Sequence, residues 1–260
     1  MLLAARQMQL RIATKATAAA SALWSGVDAV DDTTATRWVD RIAPIAEASQ
    51  TQSLLLASST LQSYIDRASG DTTVLREPNV AELLAQVRNG VSIAEVYMRP
   101  VITARRYISE GFSLNEALRQ GRIRALNTID TDVMLAARVG AHDTMRRDKR
   151  VVGYRRVPGG SACKFCVLAS TQRYHREQLM PLHPHCHCTV APIVGTADPG
   201  QVLNRGLVDQ LMTEDPALGK RGAARDAARA YHDEVVVHDH GELGPLLAQR
   251  GQHFTGPGVI

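Results

Sequence analysis

The chain has 260 residues, 45% hydrophobic and 22% charged, which is enough apolar content to bury a core in one large domain or two small ones and too much for a disordered chain. Aromatic residues make up only 4%, and an Ala- and Leu-rich, aromatic-poor sequence favours helices over an all-β fold. The formal net charge is +4 but unevenly spread, with sixteen Lys/Arg against six Asp/Glu between Arg99 and Arg176, so a basic middle stands between mildly acidic ends and points to a polyanion or an acidic protein face as partner.

Residues 1 to 24 are expected to be helical, with Arg6, Arg11 and Lys15 interrupting the apolar run that a secretory signal would need. Asp31 to Thr34 offer N-caps for a second helix, which Pro44 is expected to break or kink and which resumes to Ala68 before Ser69-Gly70-Asp71. A short helix over 79–89 closes at Asn89-Gly90, and another over 92–110 is bent at Pro100. Gly111 stops that helix, and Ser113-Leu114-Asn115-Glu116 forms a capping box that starts the next. A long helix then runs from Arg122 or Thr128 to Arg150. Val151 to Val157 alternate like a strand, Pro158-Gly159-Gly160 make a turn, 201–232 read as a further helix, and an extended arm follows from Val235. Nowhere do eighteen apolar residues run without a charge, so neither a membrane span nor a membrane partner is expected.

All four cysteines lie between 163 and 188. A disulfide-stapled secreted protein spreads its cysteines more widely, so this cluster reads as a local metal site. Cys163-Lys164-Phe165-Cys166 is followed, seventeen residues after Cys166, by His183-Pro184-His185-Cys186-His187-Cys188. Two closely spaced ligands grip an ion from a tight knuckle, and two knuckles complete the tetrahedron of thiolate and imidazole donors that Zn2+ takes. Cys163, Cys166, His183, Cys186 and Cys188 compete for four positions. The preferred set is Cys163, Cys166, His183 and Cys186, with Cys188 able to replace either member of the second pair. His175, His185 and His187 fall to surface or supporting positions, and a disulfide pair or unlinked thiols are the alternatives to a metal.

With ligands in surplus, Glu177 the only carboxylate between the two halves, and neither an H-E-x-x-H nor a deaminase pattern, the zinc is expected to be structural. The catalytic counter-reading takes Cys166 as nucleophile, His183 as base and Glu177 as acid, a trio that any Cys- and His-rich stretch offers by chance. No G-x-S-x-G elbow, Walker loop or G-x-G-x-x-G occurs.

Arg138, Arg146, Arg147, Lys149 and Arg150 crowd the last turns of the long helix, and Arg155 and Arg156 follow on the strand. They are the candidate nucleic-acid contacts, through phosphate. Cations at a helix C-terminus also suit its dipole, and a set of solvated helix faces is the structural alternative.

The C-x2-C, the H-P-x-C-x-C and the following Thr189-Val190-Ala191-Pro192-Ile193, preceded by a basic helix and strand from Ala136 to Val157, resemble the Mu F-like minor head proteins of tailed bacteriophages. The match covers residues 120 to 195, and the closing His240-Gly241-Glu242-Leu243-Gly244-Pro245 is similar to tails of actinobacteriophage members. The resemblance implies a non-enzymatic minor capsid protein of the virion, near the portal vertex inside the head, assisting head assembly, DNA packaging or ejection. Its partners would be the portal protein, the major capsid protein and packaged double-stranded DNA. A head maturation protease and a zinc-containing DNA-binding module are the alternatives. The expected fold is mainly α. Long N-terminal helices (1–110, the portal- and capsid-binding region) precede a small α+β zinc-binding domain (111–195, zinc module 158–193). A C-terminal helix and extended arm (196–260) complete it.

Overall fold

The computed structural model describes residues 1–159, 162–177, 179, 186–199, 205–214, 229, 231–239 and 245–252. Five helices come first: α1 Leu2–Trp24, α2 Asp32–Ser69, α3 Val80–Ala85, α4 Ile93–Ser109 and α5 Leu114–Arg147. They are followed by β1 Val151–Val157, α6 Lys164–Ser170, β2 Thr189–Val194, α7 Arg205–Glu214, β3 Val235–Asp239 and β4 Pro245–Gln249. The fold is thus mainly helical, with long N-terminal helices and a small sheet region, as the sequence predicts.

The helix starts are set by local chemistry. Asp31 accepts from the Thr33 amide, Asn79 from that of Glu82, Ser92 from that of Glu95 and Ser113 from that of Glu116, each cap contributing about 1 kcal/mol. Gly70 ends α2 in the left-handed region at φ 70°.

Two helices are more continuous than expected. Pro44 lies inside the continuous α2. Both it and Asp40, whose carbonyl loses its helical donor, are exposed, so water serves that carbonyl and the helix persists. α5 is one helix of 34 residues, starting at the capping box and not at Arg122 or Thr128. Gly121 does not end it, because here α1 and α4 come close. A Cβ at 121 would sit 2.5 Å from the Trp24 ring and 2.8 Å from the Pro100 carbonyl, and Trp24 Nε1 donates to the Leu118 carbonyl at 3.0 Å.

The main core joins Ala16, Ala20 and Trp24 of α1, Trp38 and Ile42 of α2, Tyr97 and Val101 of α4, and Ala125, Ile129 and Val133 of α5. A boundary at 110/111 therefore passes through a shared core. A second cluster seats the sheet on the bundle: Leu2, Leu61, Ile65, Ala141 and Met145 meet Val151, Val157, Val190 and Val194. β1 and β2 are antiparallel, with Val157 opposite Thr189 and Val151 opposite Val194. Of the helix expected over 201–232, Arg205–Glu214 and 231–234 are helical and 215–228 lie outside the described residues. The extended stretch from Val235 pairs as an antiparallel ribbon, β3 with β4, and Leu247 folds back onto Cys166, Cys186 and Cys188. No helix among the described residues is long and apolar enough to cross a membrane.

A buried ion pair locks α5 to α4 and the α3–α4 loop. Arg88 Nε donates to Asp132 Oδ1 at 2.5 Å, the Tyr97 hydroxyl to Asp132 Oδ2 at 3.0 Å, and Trp38 Nε1 to the Tyr97 carbonyl at 2.6 Å. Burial pushes the Asp132 carboxyl up against the pull of Arg88. Asp132→Ala strips the Arg88 guanidinium of this carboxylate and is expected to cost about 3–5 kcal/mol in urea unfolding. Replacing the pair together, Arg88→Met with Asp132→Leu, should recover most of that loss; equal loss in the single and double variants would refute a charge-pair origin.

Candidate metal centre

The site is built by one helix start and the segment leading into β2. Cys163 is the N-cap of α6, and its Sγ accepts from the Cys166 amide at 3.4 Å, which turns both thiols to the same side. Cys186 and Cys188 lie just before β2, where alternate residues of an extended chain share a face and His187 takes the other. The Sγ atoms of Cys166, Cys186 and Cys188 all lie within 4.8 Å of one another, and those of Cys166 and Cys186 are 3.8 Å apart.

This spacing suits a shared ion. A tetrahedron with Zn–S bonds of about 2.3 Å has S···S edges of about 3.8 Å, nearly twice a disulfide bond of about 2.0 Å. None of the four cysteines is in a disulfide. Cys166, Cys186 and Cys188 are only 3%, 2% and 6% exposed, so the buried trio can hold a metal ion with soft donors. Hydrogen bonds with Cys163, Cys186 and Cys188, and then burial, push the Cys166 thiol far up. For Cys188 the hydrogen bond from Cys166 lowers the pKa, but the bond with Cys186 and burial carry it up to about 12. Crowded sulfurs that resist ionisation alone give up their protons to a bound cation.

The structure brings Cys188, held in the sequence reading as a replacement, into the trio with Cys166 and Cys186, and sets Cys163 beside Cys166. His183 and His185 lie outside the described residues. His187 faces away from the sulfurs, with Nε2 3.0 Å from Asp130 Oδ2. His175 and Glu177 are exposed, 3.9 Å apart.

Several surrounding groups carry no sequence signal. Arg6, 181 positions away, donates from Nε to the His187 carbonyl at 2.9 Å. Tyr154 and Tyr174 stack with ring centroids 5.0 Å apart, and the Arg156 guanidinium lies 4.9 Å from the Tyr174 centroid. Gly153 permits that stack, because a Cβ there would stand 2.8 Å from the Tyr174 carbonyl.

The basic residues do not form one phosphate-facing surface. Arg138 is buried and donates to the Cys186 carbonyl at 2.5 Å, and Arg156 is buried among tyrosines. Arg150 bridges Asp66 and Asp148, each at 2.7 Å. Arg155 clasps Asp198 at 2.7 and 3.0 Å, and Arg147 pairs with Asp143 at 2.9 Å. Arg146 and Lys149 are exposed. Arg146 and Arg147 border a cleft of about 740 Å³ shared with Glu77, Glu82 and Asp143, so its charge is mixed. Planar guanidiniums here satisfy internal carbonyls and carboxylates, and sequence counting takes them for surface charge.

Fold and site together define a mainly helical protein whose small sheet region carries a buried cysteine group able to hold a metal ion. The chain belongs to the VG15 protein family, whose model matches residues 2–204, and is in that sense a phage-related protein. No curated protein and no solved structure matches it.

The Arg150 bridge ties the end of α2 to the junction of α5 and β1, and it fixes an acid limit. Partial burial raises the Asp66 and Asp148 carboxyls, but the hydrogen bonds from Arg150, with that from the Thr73 amide at Asp66, outweigh it and hold both below their ordinary value of 3.8. Lowered folded-state values mean that the stabilisation is complete above the ordinary carboxylate pKa and is lost as pH falls through the folded values. Thermal unfolding followed from pH 7 down to about 2 should show a steep loss below about 4. That loss should be shallower in Arg150→Met, and equal slopes would refute the linkage.

Proposed function

We propose that this chain is a non-enzymatic minor head protein of a tailed phage, Mu F-like, that sits near the portal vertex inside the virion. It assists head assembly, DNA packaging or ejection, and a structural Zn2+ fastens its sheet region. The observation that carries this reading is the burial of the cysteine group under Leu247 of β4, with no sulfur of the trio's residues more than 6% exposed. A metal centre so enclosed serves the fold and not a substrate. The phage-related family and the Cys/His spacing supply the setting.

A head maturation protease fits less well, since Cys166 is 3% exposed and the proposed acid Glu177 stands on the surface beside His175. Contact with packaged DNA fits as a property of the same protein, because Arg146 and Lys149 are exposed at the end of α5. The portal protein and the major capsid protein are the partners that this reading requires. The first four helices supply the docking side and the cysteine-bearing end the lumenal side.

Protein purified without chelator should carry about one zinc per chain by elemental analysis, as one tetrahedral centre requires, and Cys166→Ser should abolish it. A metal-free wild-type chain would refute the zinc. Heads assembled from the major capsid protein of the same phage, with and without its portal protein, test the placement. The chain should co-sediment with portal-bearing heads and be lost from portal-less ones. Equal recovery in both, or in neither, refutes a portal-vertex role.

A further inference from the structure

We infer that the metal centre is a tetrathiolate of Cys163, Cys166, Cys186 and Cys188, and that Arg138 and Arg156 are the buried counter-charges that neutralise it. This rests on the metal-binding reading above and goes further by fixing the ligand set and giving two arginines a role at it.

The first support is geometric. Cys163 is already turned towards Cys166: its Sγ accepts from the Cys166 amide, and the two thiols are hydrogen-bonded. Cys166 in turn stands within 4.8 Å of both Cys186 and Cys188. The segment before β2 thus delivers two sulfurs to Cys166, while Cys163, exposed and outside that mutual group, is held beside Cys166 at the α6 N-cap. A closing movement of the Cys163 side chain onto a bound ion would bring the fourth thiolate to the buried three.

The second support is charge. Zn2+ with three thiolates and a neutral imidazole leaves one negative charge, whereas four thiolates leave two. An uncompensated ionic group that deep is strongly disfavoured, so buried charges come in pairs. Two guanidiniums are buried against this cluster, Arg138 at 9% exposure and Arg156 at 1%. Arg138 donates to the carbonyl of Cys186 itself. Arg156 lies over the ring of Tyr174, which packs against the cluster of Cys166, Cys186 and Cys188. The sum of a tetrathiolate zinc and these two side chains is zero.

Arginine is the residue suited to this place. Its guanidinium stays protonated when buried and is more weakly hydrated than an ammonium. The Arg138 fork can hold a ligand's backbone carbonyl while its charge faces the sulfurs. The Arg156 plane is held over the Tyr174 ring at 4.9 Å, which fixes the direction of the cation.

The test uses the full chain reloaded with Co2+, whose thiolate-to-metal absorption grows with the number of sulfur ligands, together with zinc competition against a chromophoric chelator. Cys163→Ser should lower the absorption by one thiolate's share, while His183→Ala and His187→Ala leave it unchanged. Arg138→Met should weaken zinc binding roughly 10- to 100-fold, the usual cost of losing a group that supports a ligand, and Arg138→Lys should restore most of it. Arg156→Met is judged only if its metal-loaded circular dichroism matches wild type, and the Arg138 pair decides the charge role without it. An absorption unchanged in Cys163→Ser, or diminished in His183→Ala, overturns the tetrathiolate while leaving a metal centre in place. Equal zinc affinity in Arg138→Met and wild type overturns the counter-charge. A wild-type chain that takes up neither Zn2+ nor Co2+ overturns the metal reading as well.

Discussion

Between Thr128 and Met145, α5 is buried on nearly its whole circumference, and its charged side chains there are met inside the protein and not by water. A surface helix leaves half its residues to water, and this one cannot. Asp132 meets Arg88 and Tyr97 on one side. Arg138 reaches the Cys186 carbonyl on another. Thr144 returns its hydroxyl to the Gly140 carbonyl at 2.9 Å. Where no side chain fits, glycine appears: a Cβ at Gly140 would come within 2.5 Å of the Leu54 carbonyl of α2. The bundle and the cysteine site are therefore positioned by the same stretch of helix.

That constraint explains what the sequence reveals and what it conceals. Caps are local, so Asp31, Ser92 and Ser113 mark their helices from a few neighbouring residues. Cysteine spacing is local too, and Cys166 of the C-x2-C does meet Cys186 and Cys188 of the C-x-C in one buried group. The unity of α5 is not local. A helix enclosed on all sides loses the apolar/polar alternation that reveals its length, so its start is set too late, at Arg122 or Thr128, past the Gly121 that admits Trp24. Pro44 misleads for the opposite reason, because an exposed proline costs a helix one solvated carbonyl and need not end it.

The arginines show the same limit more sharply. Seven cations between residues 138 and 156 look like a phosphate-binding stripe when only their order is known. Their fates diverge because their partners are remote: Asp66 lies 84 positions before Arg150, and Asp198 lies 43 after Arg155. Composition counts charge but not its company. Arg146 and Lys149 remain on the surface, while Arg147 is taken up by Asp143 on its own helix and by the Arg76 carbonyl.

The sheet region is joined to the bundle at several independent points, and this bears on how metal and fold depend on each other. Arg6 binds the chain at His187 and Arg138 binds it at Cys186, so two helices grip the segment that carries two of the sulfurs. Leu2, Ile65 and Met145 meanwhile share a cluster with Val157 and Val190. A zinc knuckle hung on a flexible linker folds and unfolds alone, since little else holds it. Here the cysteine segment is clasped by helices whose own cores are separate from it. An ion bound there would draw on a partly preorganised site, and the bundle in turn would gain from it only through the strands it shares. Such an ion would act as a clasp across the junction of helices and sheet, with an energetic reach set by how much of β1 and β2 the helices would retain without it.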